Sequence, residues 1–560
     1  MKGFWERENL LYIFITLSFL YGILSYQHYS PSFHDFYIHA FVFLFINAGL
    51  FLFFLRKDVN IYANQFFWVL ILFTLFIQPI FNKIIYVDGL IFPLAIIFSM
   101  LSLSIAISNL KDKEKFISKI AGTLILGAIF LQITQFFHIF KINFFVEMMR
   151  LPLQLERFSG NLFQPNQTAF IFIMAVISVM YLFREKRKSL LKYFLIFIFS
   201  LGVSFTVSRS GFLIVLFCVL IFNFFYNFLN NVFVFKLKDL FFSALGLLLG
   251  LFLYPYFSSN ADIVDRANMS LEDPRISLFH RTWLIISEHP IMGVGWKNFS
   301  SAGLEHFSEL RWFSSTDHSH FIFGQLLSEF GLLGVLITFL FLFIFFKNIK
   351  IKSLDQLYVF TIIISIISYS LFEFPLWQLR YLIVFSIFLS LFDGWRKVFY
   401  STSKAYILSA ISLIFCFFSL YYIHEYKKVS YLYDYTVRSD ISLKNKVLEI
   451  SKIEPIFGFG FFNDIIVYEI LSSGNFELSK KIEVGDRLVH YIPSYTYLVR
   501  HATNLAEAGN YESSNYYFSA SCHYNFGVQC ERTKKYLREL SIYNPKDFET
   551  IYKSIILKYK

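Results

Sequence analysis

The sequence predicts an all-α, polytopic membrane protein, on three observations. The 560 residues are 56% hydrophobic and only 16% charged, where soluble domains carry about 25% charged residues. Phe alone occurs 76 times. The apolar residues also come in blocks, and a helix needs about 20 mostly apolar residues to cross a bilayer.

These blocks give about 12–13 transmembrane helices, from candidate spans near 10–27, 36–55, 65–82, 90–110, 118–140, 168–183, 191–207, 211–230, 239–257, 320–346, 356–372, 376–392 and 405–424. The first follows Lys2 and Arg7, as the apolar part of a signal peptide would. No small-residue cleavage site follows it, and further blocks come at once, so it reads as a retained helix. The run 191–230 is split by Ser208-Arg209-Ser210.

Charge asymmetry orders the loops. With a cytoplasmic N-terminus, the groups Arg56-Lys57, Lys111 to Lys119, Arg184 to Lys188, Lys236 and Lys238, Lys347 to Lys352, and Arg396-Lys397 with Lys404 all share the cytoplasmic side. The outer loop 28–35 has no Lys or Arg. A single span over 191–230 would invert everything downstream. The expectation is a multi-pass protein of a bacterial inner membrane. The net charge of +11 is carried by these loops, which argues against nucleic acid as a partner.

Three regions then face outward: the loop 141–167, the large loop 258–319 and the tail. Residues 1–425 form a transmembrane domain whose loop 258–319 carries part of the site. Residues 426–560 form a periplasmic helical domain. In that tail "SSGNFELS" begins at Ser472 and "EAGNYESS" at Glu507, placing Gly474 and Gly509 35 residues apart. The spacing is like that of tetratricopeptide repeats, about 34 residues. Cys218 and Cys416 fall in spans, as small packing residues. Cys522 and Cys530 fall in the tail, where an oxidising space allows a disulfide. No CxxC pair or metal-ligand set occurs, so neither metal nor cofactor is expected.

Polar groups gather at the outward ends of the spans, where they default to functional hypotheses. "GNLFQPNQTA" puts Gln164 and Asn166 on either side of Pro165 at a helix start; they suit either substrate binding or capping by Asn166 with a solvated Gln164. "TVSRSGFL" puts Arg209 in a tight turn, against the charge bias. It reads as a snorkelling arginine or as an anion clamp, since a guanidinium matches phosphate bidentately. "FHRTWLIISEHPIMGVGWKNF" reads as an amphipathic helix followed by a Gly-rich turn. Its Arg281 either joins Arg209 at the same anion or belongs to an interfacial helix with Trp283. "DHSHFIFGQLLSEFGLLG" holds His318 and His320, two residues apart and so on different helix faces. A neutral imidazole can accept a proton near pH 7, so one is expected to point into a site and the other away. Glu329 lies further along this span, and Glu373 in "FEFPLW" is a carboxylate at an outward edge.

Taken in order, these segments resemble the O-antigen ligase superfamily, and within it the bacterial O-linked protein oligosaccharyltransferases. "GNLFQPNQTA" is similar to the Gly-Asn-x-x-Gln-Pro-Asn segment of the protein-glycosylating branch. "SRSG", "RTWLIISEHPIMGVGW", "HSHFIFGQLLSEFGLLG" and "FEFPLW" resemble further family motifs over residues 160 to 377. Phe321 stands where the family usually has Asn, and Phe374 where it often has Tyr. The resemblance implies a glycan donor on polyprenyl (undecaprenyl) pyrophosphate and a Ser or Thr acceptor on a periplasmic protein such as a pilin. It makes His320 the general base and places Arg209 and Arg281 on the pyrophosphate. Gln164, Asn166, His318 and Glu373 are the remaining candidate substrate-binding residues. Transfer would be inverting, with no metal or cofactor. Membrane lipid is the other expected partner.

Three rivals are weighed. An O-antigen ligase would transfer the glycan to lipid A-core. A polymerase would use another lipid-linked glycan as acceptor. A transporter or scaffold would carry ionisable groups deep in its spans, whereas the candidates gather at the edges.

Overall fold

The structure, a computed structural model, describes residues 7–25, 36–55, 58–149, 157–184, 189–229, 237–258, 274–347, 349–392, 398–452, 455–473, 477–525 and 527–559. The loop 28–35, Arg56-Lys57, Lys186 to Lys188, Lys236, Arg396-Lys397 and Gly474 lie outside them.

The chain is a bundle of apolar helices followed by shorter polar ones. In order these are α1 Arg7–Leu24, α2 Phe36–Phe54, α3 Phe66–Phe81, α4 Ile91–Ser108, α5 Lys113–Ile139, α6 Asn143–Met149, α7 Pro165–Leu182, α8 Leu190–Phe205, α9 Arg209–Leu229 and α10 Leu237–Phe257. The next are α11 Pro274–Glu288, α12 Phe299–Glu305, α13 Ile322–Phe330, α14 Leu332–Lys347, α15 Leu354–Ser370, α16 Leu379–Leu391 and α17 Ala405–Val437. The last seven are α18 Leu443–Ser451, α19 Gly460–Ser473, α20 Leu478–Tyr491, α21 Tyr495–Glu507, α22 Tyr511–His523, α23 Cys530–Tyr543 and α24 Pro545–Lys558.

Among the described residues, nine helices are long and apolar enough to cross a membrane, and α8, α14, α15 and α16 are shorter apolar helices. Each falls on one of the thirteen expected spans. Large apolar side chains stand exposed on the outside of the bundle, including Phe76, Ile80, Leu213, Phe228, Phe252 and Phe339. Such a surface suits hydrocarbon, in which helices keep every backbone polar group satisfied. Between helices, small residues allow close approach. A Cβ at Gly246 would lie 2.4 Å from the Phe197 carbonyl oxygen, and one at Gly250 2.4 Å from the Ser204 Cβ, so α10 packs directly on α8. Ser99 donates to Asn47 at 3.1 Å and Ser390 to Ser104 at 2.8 Å, both buried.

The loops sort to two ends. At one, Asn60 and Asn109 exchange hydrogen bonds, the Lys111 N–H meets Glu8, and Tyr181 joins Ser118 and Asp355. There Val59–Tyr62 (β1) pairs antiparallel with Val398–Thr402 (β2), a two-stranded sheet that the hydropathy pattern did not foreshadow. At the other end, the connections 82–90, 157–164, 206–208, 289–321 and 371–378 meet. The described basic loops Lys111 to Lys119 and Lys404 fall at the first end, and the candidate site at the second.

Two spans differ from expectation. The span 320–346 is broken at Gly331, and the span expected at 405–424 continues unbroken to Val437 as α17. Its extension enters a core shared with α19 and α20, in which Tyr426, Phe459 and Tyr468 are buried beside Tyr37 and Tyr86. The Asp88 carboxylate accepts from the Gly458 and Gly460 N–H groups, each at 3.0 Å, fixing the tail to the 82–90 loop. In the tail, Gly509 is left-handed (φ +80°) and ends α21, and the Asn510 side chain caps α22 by accepting from the Ser513 N–H. Cys522 and Cys530 form a disulfide.

Candidate functional site

Helix α7 is buried along almost its whole length, which makes its first turn a rigid platform. Gln164 caps it: the side-chain oxygen accepts from the Asn166 N–H at 2.7 Å, and Pro165 supplies the first helical residue without an N–H to satisfy. This reverses the capping expected of Asn166. With Gln164 as the cap, the Asn166 amide is free to reach across the site. It donates to Glu373 Oε1 at 2.6 Å and accepts from the Arg157 guanidinium at 2.7 Å. Arg157 also donates to the Thr206 carbonyl at 2.8 Å, and Tyr369 donates to the Asn166 carbonyl at 2.5 Å. Three connections, 157–164, 206–208 and 371–378, are tied together around one amide.

Glu373 is the hub. Its carboxylate is 3% exposed, receives Arg275 from α11, and lies 3.5 Å from His320 Nδ1. Burial pushes this carboxyl up, but the neighbouring His320, with Arg275 and Asn166, outweighs it and holds it below the usual carboxylate range. His320 Nδ1 is buried on this side, while the side chain as a whole is 21% exposed.

His318 faces a different partner. Its Nδ1 lies 3.1 Å from Asp317 Oδ1, and Asp317 Oδ2 accepts from Lys297 Nζ at 2.5 Å. Burial raises Asp317, but Lys297 and His318 outweigh it and hold the acid far below its ordinary value. Burial pulls His318 down, against the pull of Asp317. The two histidine rings lie 4.4 Å apart, and Phe374 packs against both.

The break at Gly331 makes room for the Gly-rich turn. The Val294 and Gly295 N–H groups donate to the Ser328 and Glu329 carbonyls, in the last turn of α13, and Leu332 N–H donates to the Ile291 carbonyl. A Cβ at Gly293 would sit 2.5 Å from the Glu329 carbonyl carbon, and one at Gly331 2.5 Å from the Gly293 nitrogen. Only glycine allows this backbone-on-backbone contact. Glu329 itself is buried and accepts from the Lys297 N–H at 3.0 Å, so it shapes the turn that carries Lys297. Among the described residues, six non-glycines have positive φ, and Phe163, Val207, Lys297 and His320 are four of them. Each such residue costs about 1–3 kcal/mol, and they cluster at functional sites.

Arg209 opens α9, exposed, in the turn that Arg157 holds through Thr206. Ser208 caps that helix by accepting from the Gly211 N–H at 3.2 Å. Arg281 is not brought to this cluster. It is 1% exposed, lies over the Phe299 and Phe313 rings, and donates to the Ser314 and Thr316 carbonyls at 3.1 Å each. Burial pulls its guanidinium down to about 10. Arg275, two helical turns earlier on α11, takes the place expected of Arg281. The sequence reading missed Arg157 and Arg275. The signal that picked out Arg209, a cation in a loop on the sparsely basic side, applied to both.

Beside His318 opens a cavity of about 700 Å³. Its walls are mainly apolar, from α3, α4, α13, α14 and α16, and Gln164, Lys297, Asp317 and Gln378 stand among them. Below it Arg380 is buried, donating to the Gly22 carbonyl at 2.7 Å and to Gln167. His39 meets Gln378 at 2.8 Å. Arg380 lay inside an expected span, where a charge is itself a signal.

Arginines and a carboxylate-backed histidine thus gather at one end of a bundle of apolar helices. Residues 194–339 match the family model described as O-antigen ligase. Residues 357–539 match the model described as virulence factor membrane-bound polymerase, C-terminal. The chain belongs to the O-antigen ligase superfamily, whose ligases and polymerases transfer glycans. The second match runs from α15 into α23, across the boundary expected at 425. No curated protein and no solved structure matches the chain.

Proposed function

We propose that the protein is an O-linked protein oligosaccharyltransferase. It moves a preassembled glycan from polyprenyl pyrophosphate to a Ser or Thr hydroxyl of a periplasmic protein. The observation that carries this reading is the Glu373 carboxylate, which backs His320 at 3.5 Å and gathers Arg275 and Asn166. With Nδ1 turned to Glu373, Nε2 is the nitrogen left for the acceptor proton. The acceptor oxygen attacks the anomeric carbon as the bond to the pyrophosphate breaks. The hydroxyl proton passes to His320, and the polyprenyl pyrophosphate leaves with the bonding electrons. Attack opposite the leaving group inverts the anomeric centre.

Glu373 stabilises the imidazolium that forms. Arg209 and Arg275 meet the charge that grows on the leaving group, where fixed cations act most strongly. Arg281 instead holds the loop ahead of the histidines. The apolar cavity accommodates isoprenoid chain. The site end of the bundle is the periplasmic one, a reading supported by the sidedness of the basic loops and by the tail disulfide, a bond of oxidising compartments. The transmembrane domain is then 1–425 and the periplasmic, tetratricopeptide-like domain 426–560.

A second reading has support in the match to a polymerase model over 357–539: the acceptor would be another lipid-linked glycan. The test compares His320→Ala, Arg275→Ala and Arg281→Ala with wild type in cells making a lipid-linked glycan. Intact masses of periplasmic proteins, glycan chain lengths and the lipopolysaccharide ladder are read together. Loss of protein glycans in His320→Ala and Arg275→Ala is expected, with normal protein level. Arg281→Ala is expected to lower the level of folded protein. Unchanged protein glycans in His320→Ala sink the proposal; loss of long glycans alone favours the polymerase.

A further inference from the structure

The stretch that carries both histidines is braced by a distant loop of the tail. That loop, 523–529, of which Phe526 lies outside the described residues, joins α22 to α23 and is closed by the Cys522–Cys530 disulfide. Phe313 pairs with Tyr524 in a parallel bridge, the one isolated bridge among the described residues. Its N–H donates to the His523 carbonyl at 3.1 Å, and its carbonyl accepts from the Asn525 N–H at 2.9 Å. The Tyr524 hydroxyl lies 2.8 Å from Ser315 Oγ. Phe313 is fully buried in the core that holds Leu498, Phe518 and Leu537.

From there the contacts run directly to the site. Arg281 lies over the Phe313 ring and grips the carbonyls of Ser314 and Thr316. The next residues are Asp317 and His318, then His320 in its left-handed conformation. A segment with strained backbone holds its geometry only when its surroundings over-determine it. Here the surroundings include Arg281 and the Lys297 turn, and on the far side the 523–529 loop. Asn525, inside that loop, is itself left-handed.

We propose that the disulfide-closed loop 523–529 is a positioning element of the active site, with Tyr524 its positioning residue, and that reducing Cys522–Cys530 slows glycan transfer. This rests on the assignment of His320 as the base. Reduction by a dithiol breaks the S–S bond, places a proton on each sulfur and oxidises the dithiol to its own disulfide. The loop ends are then no longer tied, and the 313–320 segment loses one of its braces, while Arg281 and the Lys297 turn remain. Misplacement of a reacting group by about 1 Å can cost about 10²-fold in rate.

The experiment uses the full chain in lipid nanodiscs, with a polyprenyl-pyrophosphate glycan and an acceptor protein. kcat and the donor KM are measured before and after dithiothreitol and after reoxidation. Amide hydrogen exchange is read over 313–320 in the same samples. Reduction is expected to lower kcat about tenfold with donor KM unchanged, and to speed exchange over 313–320. Reoxidation restores both. Cys522→Ser/Cys530→Ser has the lower kcat and ignores the reductant. Tyr524→Phe keeps more activity than Tyr524→Ala. Unchanged exchange and kcat on reduction overturn the proposal. So does a fall in whole-chain melting temperature with kcat and KM moving together, which marks a purely structural bond. If oxidised wild type transfers no glycan, the assigned reaction fails, and hydrogen exchange alone then judges the brace.

Discussion

Replacing Glu373 by Gln removes one charge and almost no volume. The carboxylate lies 3.5 Å from His320 Nδ1. Opposite unit charges at that distance attract by about 5 kcal/mol at an effective dielectric of 20, and by about 1 kcal/mol in water. The acid is buried and the imidazole one-fifth exposed, so the imidazolium formed in transfer loses about 2–4 kcal/mol of stabilisation. That corresponds to a kcat lower by about 30-fold to 10³-fold. The donor KM changes little, because Arg275 keeps its charge. Single-turnover transfer to an acceptor protein measures it. A kcat within about threefold of wild type would refute the role given to Glu373. Stability moves with pH in a defined direction. The folded-state carboxyl is held below its usual range, so its contribution is full above the unfolded value of about 4.3 and is lost as pH falls through the folded one. Wild type is therefore the more stable protein at neutral pH, and the difference closes in acid.

Two further outcomes follow from buried charge. Lys192 and Asp239 meet at 2.6 Å with side chains 8% and 4% exposed, so Lys192→Met strands a carboxylate and costs about 3–5 kcal/mol. Lys192→Met/Asp239→Leu recovers most of it in thermal unfolding in detergent; a single variant as stable as the double one contradicts this. His501, edge-on to the Tyr517 ring, is pulled down to about 4 by burial. The unfolded chain binds that proton first, so stability is lost as pH falls from about 6.5 toward 4, by about 2 kcal/mol at pH 5. His501→Phe should flatten that acid limb in an unfolding series from pH 7 to 5, and an unaltered slope would count against it.

Most of the bundle was legible because bilayer crossing demands long apolar runs, and the split at Arg209 followed from the polar cluster Ser208-Arg209-Ser210 together with the charge bias. The break at Gly331 was not, since Leu332 to Phe346 continues the apolar pattern without a polar residue other than Thr338. What breaks the helix is the turn 291–295 docking on its carbonyls, a contact that local sequence does not announce. The site was legible as a set of segments but not as partners. Arg281 and Arg275 lie six residues apart on one helix, and only the packing of Phe299 and Phe313 around one of them separates a structural guanidinium from one in the site. Gln164 and Asn166 exchanged roles for a similar reason: either could cap, and the position of Glu373 decides which amide does something else.

The bridge between Ser315 and Tyr524 spans 209 residues of chain. At a synthesis rate of about 5–20 residues per second, the loop holding the histidines waits about 10–40 s for its brace to emerge. Over that interval the bundle helices can already be in the membrane, with their arginines in place. On the proposed orientation the brace must also cross the membrane and be oxidised before it closes. Full competence to transfer would thus be acquired last, after secretion of the tail, and a chain stalled or cut before Cys530 would insert but transfer slowly.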